Sequence, residues 1–310
     1  MEKFELNKSN ETKSLFVSIL GKPNVGKSSL MNMLVNSKVS IVSPKPQTTR
    51  NKILGILTNG NIQLVFIDTP GIHKTKNKLD KYMISEVNNS LCGAEACMHV
   101  VEAGKKVTDF DLDLIKKVEK LNIPVILVIN KIDLLSDKSL LAEQIQEFSK
   151  IFEYSSVVPV SSKTCDGRED LICELENSAQ PSVFFFSEND VTDQTERTLV
   201  REIIREKLLK FLDHELPHGI AVVTESFKTK ENGITDISAV VYCEKENHKG
   251  IIIGKSGNML KKIGSLARID LEQMLGRKIN LKIWVKTKEN WRNSDFLLND
   301  FGYGVDDRLK

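Results

Sequence analysis

The chain has little cysteine, and nothing in its placement gives the cysteines a common task. Cys92, Cys97, Cys165, Cys173 and Cys243 are scattered and odd in number, with no C-x-x-C among them. That argues against a disulfide framework or a zinc site and points to a reducing compartment. No uninterrupted apolar run approaches the ~18 residues of a bilayer-spanning helix, so no transmembrane segment is expected. Met1 to Lys13 is polar and charged, so no signal peptide is expected either. Internal repeats and low-complexity tracts are also missing. Net charge is only +2 over 310 residues, but its placement is uneven. Residues 1–194 hold 23 Lys and Arg against 25 Asp and Glu; residues 195–310 hold 21 against 17; and 245–292 alone hold 12 against 4. The local excess suggests a polyanionic partner for the C-terminal part. The length suggests two domains, and 40% hydrophobic residues suffice for two cores.

What is present begins at Gly21-Lys22-Pro23-Asn24-Val25-Gly26-Lys27-Ser28, which fits the phosphate-loop pattern G-x-x-x-x-G-K-[ST]. Leu15–Leu20 before it reads as a buried strand and Ser29–Val35 after it as a helix. The glycines let backbone N–H groups turn toward phosphate oxygens, and the helix N-terminus adds its own donors. Lys27 would neutralise the β- and γ-phosphates, and the Ser28 hydroxyl would hold Mg2+. Residues 40–51 form a loop with two prolines. A threonine hydroxyl there, Thr49, could reach the magnesium, or the Thr48-Thr49 pair could simply be solvated. A hairpin, Ile53–Leu57 and Ile62–Ile67 around an Asn-Gly turn, ends in Asp68-Thr69-Pro70-Gly71. Asp68 is well placed for the magnesium shell, and Gly71 can bring its N–H close to a γ-phosphate.

Leu79, Met83, Val87 and Leu91 mark an apolar helix face. His99, inside the strand Met98–Val101, reads as a packed core residue rather than a catalyst. Thr108-x-x-Asp111 reads as a helix start. The buried strand Pro124–Ile129 delivers Asn130-Lys131-Ile132-Asp133. The Asp133 carboxylate can accept from the two adjacent donors of guanine, which adenine lacks. Two lost bonds at roughly 1–3 kcal/mol each would discriminate about a hundredfold or more against ATP. Asn130 would support the loop and the base edge, and the Lys131 stem could lie over the ring. After a helix over Leu140–Phe152 and the strand Val157–Val160, backbone N–H groups of Ser161, Ser162 and Lys163 could contact the base oxygen. The order and strand-end placement of these segments resemble the translation-factor-related class of small GTPases, whose ligands sit at the carboxyl ends of a doubly wound, mostly parallel sheet.

Gln180-Pro181-Ser182 opens a linker containing Phe184-Phe185-Phe186, which should dock on one domain. A helix starting at Asp193-x-x-Glu196 follows, with Leu199, Ile203, Leu208 and Phe211 on its face. Two strands, Ile220–Phe227 and Ile237–Cys243, then lead to Ile251-Ile252-Ile253-Gly254-Lys255-Ser256-Gly257. An apolar run before G-x-x-G between two helices is the KH signature, in which the glycines admit a sugar-phosphate backbone. The next helix turns Met259, Ile263, Leu266, Ile269, Leu271 and Leu275 inward and Lys261, Lys262 and Arg268 outward. The order α-β-β-α-α-β, closed by the strand Ile279–Val285, looks like a type II KH domain. Trp291 and Arg292 could stack on bases or pin the tail to the domain.

The fold class is therefore α/β, a P-loop GTPase domain followed by a smaller α+β type II KH domain. The domain plan is 1–180 for the GTPase domain, 181–194 for the linker, 195–288 for the KH RNA-binding domain and 289–310 for the tail. The strings Lys22–Ser29, Gln47-Thr48-Thr49-Arg50, Asp68–His73, Asn130–Asp133, Glu206–Leu209, Leu216-Pro217-His218 and Asn290-Trp291-Arg292 resemble the Era family of bacterial ribosome-assembly GTPases over nearly the whole chain. The resemblance implies a GTP/GDP switch with Mg2+ held by Ser28, Thr49 and Asp68, and with Lys27, Thr49, Gly71 and Asn24 as the catalytic set. Its nucleotide site would comprise Gly21–Ser28, Asp68–Ile72, Asn130, Lys131, Asp133 and Ser161–Lys163. Ile253–Gly257, Lys261, Lys262, Arg268, Trp291 and Arg292 would bind RNA. It further implies binding to the 3′ end of 16S rRNA, work on the 30S ribosomal subunit, and a cytoplasmic, monomeric protein with peripheral association to the cytoplasmic face of the membrane. Asn24 matches an asparagine that holds K+ in related GTPases. Ser162 stands where the family usually has alanine, a small departure if that position acts through its backbone. Ile72, which can neither donate nor accept, stands where Ras-like enzymes place a water-orienting glutamine, so hydrolysis should be slow, nearer the ~10⁻⁴ s⁻¹ of unassisted Ras. Two rivals remain: an RNA-binding assembly protein whose nucleotide site only stabilises the fold, and a P-loop kinase or ATPase. Intact Lys27, Ser28, Asp68 and Asp133 weigh against the first, since a structural pocket would not need them all; Asp133 and the lack of any signal for a second substrate pocket weigh against the second.

Overall fold

The computed structural model describes residues 11–45, 47–71, 75–137, 139–213 and 216–304. Its packing groups the chain into two compact units that do not follow chain order. One takes the chain up to Val39 together with Lys52–Thr69 and Val87–Asp193; the other takes Ser40–Asn51, Pro70–Glu86 and everything from Gln194 on.

The first unit is built on β1 (Lys13–Gly21), α1 (Lys27–Leu34), β2 (Ile53–Asn59), β3 (Ile62–Asp68), the end of α2 (Lys78–Leu91), β4 (Ala96–Glu102), α3 (Asp109–Glu119), β5 (Val125–Asn130), α4 (Ser139–Ser149), β6 (Ser156–Pro159), α5 (Arg168–Ser178) and β7 (Gln180–Pro181). The strand order is β2-β3-β1-β4-β5-β6, and β7 pairs with the start of β1. β3, β1, β4, β5 and β6 are mutually parallel, while β2 returns antiparallel on β3. Parallel strands covered on both faces read as continuous apolar runs, which is why β1, β4 and β5 were legible. On one face Val17, Ile19, Phe66, Met98 and Val128 pack with Leu30, Met31 and Leu34 of α1 and with Leu171 and Leu175 of α5. On the other, Val101, Leu127 and Ile129 pack with Phe148, Leu141 and Ile145 of α4. The two-residue loop of the β2–β3 hairpin is Gly60-Asn61, since Asn59 pairs with Ile62, and Gly60 takes the positive φ. His99 is buried beside Phe148, with its Nδ1 2.9 Å from the Tyr154 hydroxyl, a packed residue as expected.

The segment after β7 stays with this unit. Val191 accepts from the Ile56 N–H, and the Thr192 hydroxyl donates to Leu54. Phe185 meets Phe16 edge to face. Gln63 on β3, fully buried, holds the aromatic stretch: its Oε1 accepts from the N–H groups of Phe185 and Phe186 at 2.9 and 3.1 Å, and its Nε2 donates to the Phe186 carbonyl.

The second unit carries α6 (Glu196–Phe211), β8 (Ala221–Thr229), β9 (Thr235–Cys243), α7 (Glu246–Ile253), α8 (Asn258–Leu275), β10 (Ile279–Thr287) and α9 (Asp295–Asp300). β9 is the middle strand, parallel to β10 and antiparallel to β8. The helices cover one sheet face, with Val200, Ile203, Ile204 and Leu208 of α6 and Ile263, Ala267 and Leu271 of α8 packed on Val222, Ala239 and Val241. The other face is covered by the tail and by the start of α2: Trp291, Leu298, Phe301 and Tyr303 cluster with Ala221, Leu79 and Met83. α6 starts at Glu196 behind a Thr195 cap rather than at Asp193, and its buried stripe is shifted to Val200, Ile203 and Ile204. Ile269 faces outward at 53% exposure, against the sequence reading, because Ile263, Ala267 and Leu271 already fill the inward stripe of α8.

Gln63→Ala would leave two N–H groups and a carbonyl without their partner. The expected cost is roughly 1–3 kcal/mol, with faster proteolytic cutting near Phe185; denaturant titration and limited proteolysis read the two effects, and an unchanged cutting rate would contradict this account.

Candidate nucleotide site and RNA groove

The phosphate loop owes its shape to two close approaches. Gly21 and Gly26 take φ +153° and +99°, and a Cβ on either would collide with the Val100 carbonyl oxygen or the Asn130 side chain. Lys27 is buried, and its Nζ donates to the carbonyls of Gly21 and Lys22 at 2.9 Å each. Burial pushes its pKa down from 10.5 to about 8, and nearby Asp68 partly offsets that. A cation so desolvated, cradled among backbone groups, fits an anionic phosphate. The Ser28 hydroxyl donates to Asp68 Oδ2 at 2.7 Å, which places a hydroxyl and a carboxylate oxygen, both hard ligands suited to Mg2+, side by side.

The base end of the site hangs on Asn130, which is fully buried. Its Nδ2 donates to Val25 in the phosphate loop at 2.9 Å, and its Oδ1 accepts from the N–H groups of Lys131 and Ser162 at 2.8 and 3.0 Å. Lys131 takes a left-handed backbone, and its Nζ reaches the Asn24 carbonyl at 2.7 Å and Glu102 at 2.6 Å. Asp133 accepts from the Ser161 hydroxyl at 2.7 Å and faces Lys163 at 3.9 Å.

Several expectations change. The N–H groups of Ser161 and Ser162 donate to the Asp166 carbonyl and to Asn130 Oδ1, both at 3.0 Å. The Thr69 hydroxyl donates to Ile19 in the core. The Lys22 side chain turns away to Asp111, 3.1 Å distant. Burial raises the Asp111 pKa, but contacts with His99, Thr108 and Lys22 outweigh it and hold the carboxyl well below its usual range. Ser161 as the group orienting Asp133 was missed, as was Glu102; a carboxylate at the end of a central strand was the available signal for the latter. Thr49, Pro70 and Gly71 belong to the second unit, with Thr49 and Pro70 buried there. Ile72 lies outside the described residues.

In the second unit, Gly254 at φ +74° closes α7, and a Cβ there would stand 2.6 Å from that of Met259. Ser256 and Gly257 also take positive φ, and Lys255 and Ser256 project into solvent while Ile253 is half-buried. An open groove of about 400 Å³ is lined by Gly257, Leu260, Lys261, Gly264, Arg268 and Ile283, among others. Two cations thus flank an apolar floor, which suits a phosphate backbone with its bases turned inward. Lys262 lies instead over the Phe211 ring at 4.3 Å. Trp291 cannot stack on RNA: it is fully buried, its Nε1 donates to Gly219, and it packs on Phe301 and Tyr303. Arg292 pairs with Glu244. Pinning the tail is what these two residues do.

A phosphate loop with a guanine-directed aspartate, on one chain with a KH-type sheet, defines a GTPase fused to a KH domain. The comparisons agree. A family profile described as 50S ribosome-binding GTPase matches residues 16–131, and a KH domain profile matches 215–292. GTPase Era of Ruminiclostridium cellulolyticum is 46% identical over 291 residues, spanning 94% of this chain and 97% of that protein. GTPase Era of Clostridioides difficile is 46% identical over 292 residues, spanning 94% and 98%. The crystal structure of a tyrosine-to-alanine variant of Aquifex aeolicus Era bound to GDP·AlF4⁻ superposes with a TM-score of 0.92 at 36% identity, covering 95% of this chain and all of that one. A structure of Era with MgGDPNP and nucleotides 1506–1542 of 16S ribosomal RNA gives 0.91 at 36% identity with the same coverage. The chain belongs to the Era family of GTPases.

A bound phosphate would restore the Lys27 charge, so binding takes up a proton where free Lys27 has lost one. Affinity for GDP should therefore be flat below about pH 8 and fall as pH rises above it. Calorimetry in two buffers of different ionisation enthalpy would detect the proton; a flat affinity across pH 8 with no buffer effect would contradict the assignment.

Proposed function

We propose that this GTPase is a nucleotide-driven switch that binds the 3′ end of 16S ribosomal RNA through its KH domain and serves assembly of the 30S subunit. The domains are 1–180, the linker 181–194, 195–288 and the tail 289–310. The reading is carried by one juxtaposition in a single chain: a phosphate loop around the desolvated Lys27, and a groove whose walls bear Lys261 and Arg268. A 36% identical Era was crystallised with MgGDPNP and 16S RNA nucleotides together, which supports carrying both ligands over.

In this reading the Lys27 ammonium meets the β- and γ-phosphates, and the backbone from Gly21 to Ser28 wraps them. Asp133, oriented by Ser161, receives the two donors of guanine. Ser28, Asp68 and Thr49 would hold Mg2+, which when bound neutralises charge on the phosphate oxygens. Gly71 offers its N–H to the γ-phosphate. With Ile72 unable to orient water, unassisted turnover is slow. Gly254, Lys255, Ser256 and Gly257 admit the RNA backbone, and Lys261 and Arg268 hold it along the groove. The protein works as a cytoplasmic monomer that associates peripherally with the membrane; among the described residues no helix is long and apolar enough to cross one.

The test is the affinity for a ribosomal RNA 3′-end oligonucleotide with a GTP analogue and with GDP, at one fixed salt concentration because phosphate contacts make affinity salt-dependent. Tighter binding with the analogue is expected. Equal affinities would leave a constitutive RNA-binding protein with a structural nucleotide site. Asn24 is assigned to K+, whose charge would stand where other GTPases use an arginine finger. Turnover should then be higher in potassium than in sodium buffer, and equal rates would remove the ion from the mechanism.

A further inference from the structure

The loop that carries Thr49 is held within the KH-bearing unit by Arg50, which stands in a family string but is given no role of its own by the sequence. Arg50 is 2% exposed. Its Nη1 donates to the Ile220 carbonyl at 2.7 Å and to the Tyr303 hydroxyl at 3.3 Å, and its Nη2 donates to the His218 carbonyl at 3.1 Å. Trp291 donates to the carbonyl between these two, that of Gly219. Three consecutive carbonyls leading into β8 are thus taken by Arg50 and by the ring beside it. The guanidinium carbon lies 5.9 and 5.7 Å from the ring centres of Trp291 and Tyr303. The same loop is held on its other flank. Arg205 of α6, paired with Glu202, donates to the carbonyls of Gln47 and Thr48, and Gln47 Nε2 donates to Asp80 at 3.0 Å. Residues 47, 48 and 50 are all anchored, and Thr49 stands between them.

A loop that needed only cover would be held by apolar side chains, as Ile41 is held in the same unit. Burying a guanidinium costs desolvation energy, offset only where its geometry is met. A planar fork bonded to two carbonyls and set against two rings responds to small backbone shifts in a way an aliphatic anchor does not. The carbonyls belong to the turn that leads into β8, the first strand of the KH sheet, and the rings belong to the tail that covers that sheet. We propose that Arg50 is a positioning residue that couples the Thr49 loop to the KH sheet, so that nucleotide state and RNA affinity are linked through its guanidinium. This rests on the switch reading above. Linkage is reciprocal: whatever the γ-phosphate does to RNA affinity through this anchor, RNA does equally to affinity for the GTP analogue.

The experiment uses the full chain, the ribosomal RNA 3′-end oligonucleotide, a GTP analogue and GDP. The quantity read is the ratio of RNA dissociation constants in the two nucleotide states. In Arg50→Ala and Arg50→Lys the ratio should collapse to within about twofold of one, against the roughly 5–150-fold typical of allosteric coupling. Lysine keeps the charge but cannot bridge both carbonyls. RNA affinity of the GDP form should stay within about twofold of wild type, since Arg50 is not among the residues that line the groove. Tyr303→Phe, which keeps the ring, should retain the ratio. If Arg50→Ala does not fold, as judged by circular dichroism, Arg50→Lys carries the test. A wild-type ratio in a folded Arg50 variant would overturn the proposal while leaving the switch reading intact. Equal RNA affinities in the wild type would sink the switch reading and this proposal with it.

Discussion

One buried amide holds the base end of the nucleotide site together. Asn130 spends its side chain on Val25 in the phosphate loop, on the N–H of Lys131 and on that of Ser162. Three loops that are far apart in sequence take their relative positions from these bonds. Gly26 must be glycine for the same reason, since a Cβ there would strike the Asn130 amide. The interaction sits in a dry place, so each bond is strengthened and each loss leaves a desolvated donor or acceptor. Lys131 adds a second tie, from its ammonium to the Asn24 carbonyl. The phosphate loop is therefore tied at two successive residues, Asn24 and Val25, to the loop that carries Asp133, and preorganisation of this kind lowers the reorganisation cost of binding phosphate.

The legible part of the fold was the part set by period and by spacing. Parallel strands covered on both faces give unbroken apolar runs, and each motif residue stands where such a run ends. β1, β3 and β5 could thus be placed within a residue or two, along with Gly21, Asp68 and Asn130 at their ends. The G-x-x-G turn was legible for a similar reason, since its left-handed backbone demands glycine at two positions. What a polar side chain does with its bonds was not legible. Ser161 and Ser162 could be put beside the base, but the commitment of their N–H groups depends on Asp166 and Asn130. Trp291 could stack or pin. The choice is made by Gly219, Phe301 and Tyr303, contacts that no local pattern encodes. Arg50 was read only as part of a family string, because its partners lie some 170 and 250 residues away in sequence.

The basic character of the KH region also resolves into distinct jobs. Lys261 and Arg268 line the groove. Lys262, their neighbour in sequence, covers Phe211. Arg292 answers Glu244, and Lys286 answers Glu225 at 3.1 Å. The local excess of positive charge therefore overstates the number of cations aimed at RNA. A salt-dependence slope for RNA binding would count only those that neutralise phosphates, not the twelve basic residues of 245–292.

Gly264 sits in the middle of the eighteen-residue α8 and lines the groove. Glycine in a helix interior is worse than alanine by about 0.5–1 kcal/mol. A methyl group would fit, meeting the nearest atom, Ile283 Cδ1, at an ordinary 3.6 Å. Alanine would thus be a stabilising residue at this position, and it would narrow the groove floor. An engineering campaign that screened this protein for heat resistance alone would reward that change early. It would then be trading away room in the groove proposed for RNA, with nothing in a melting curve to reveal the loss.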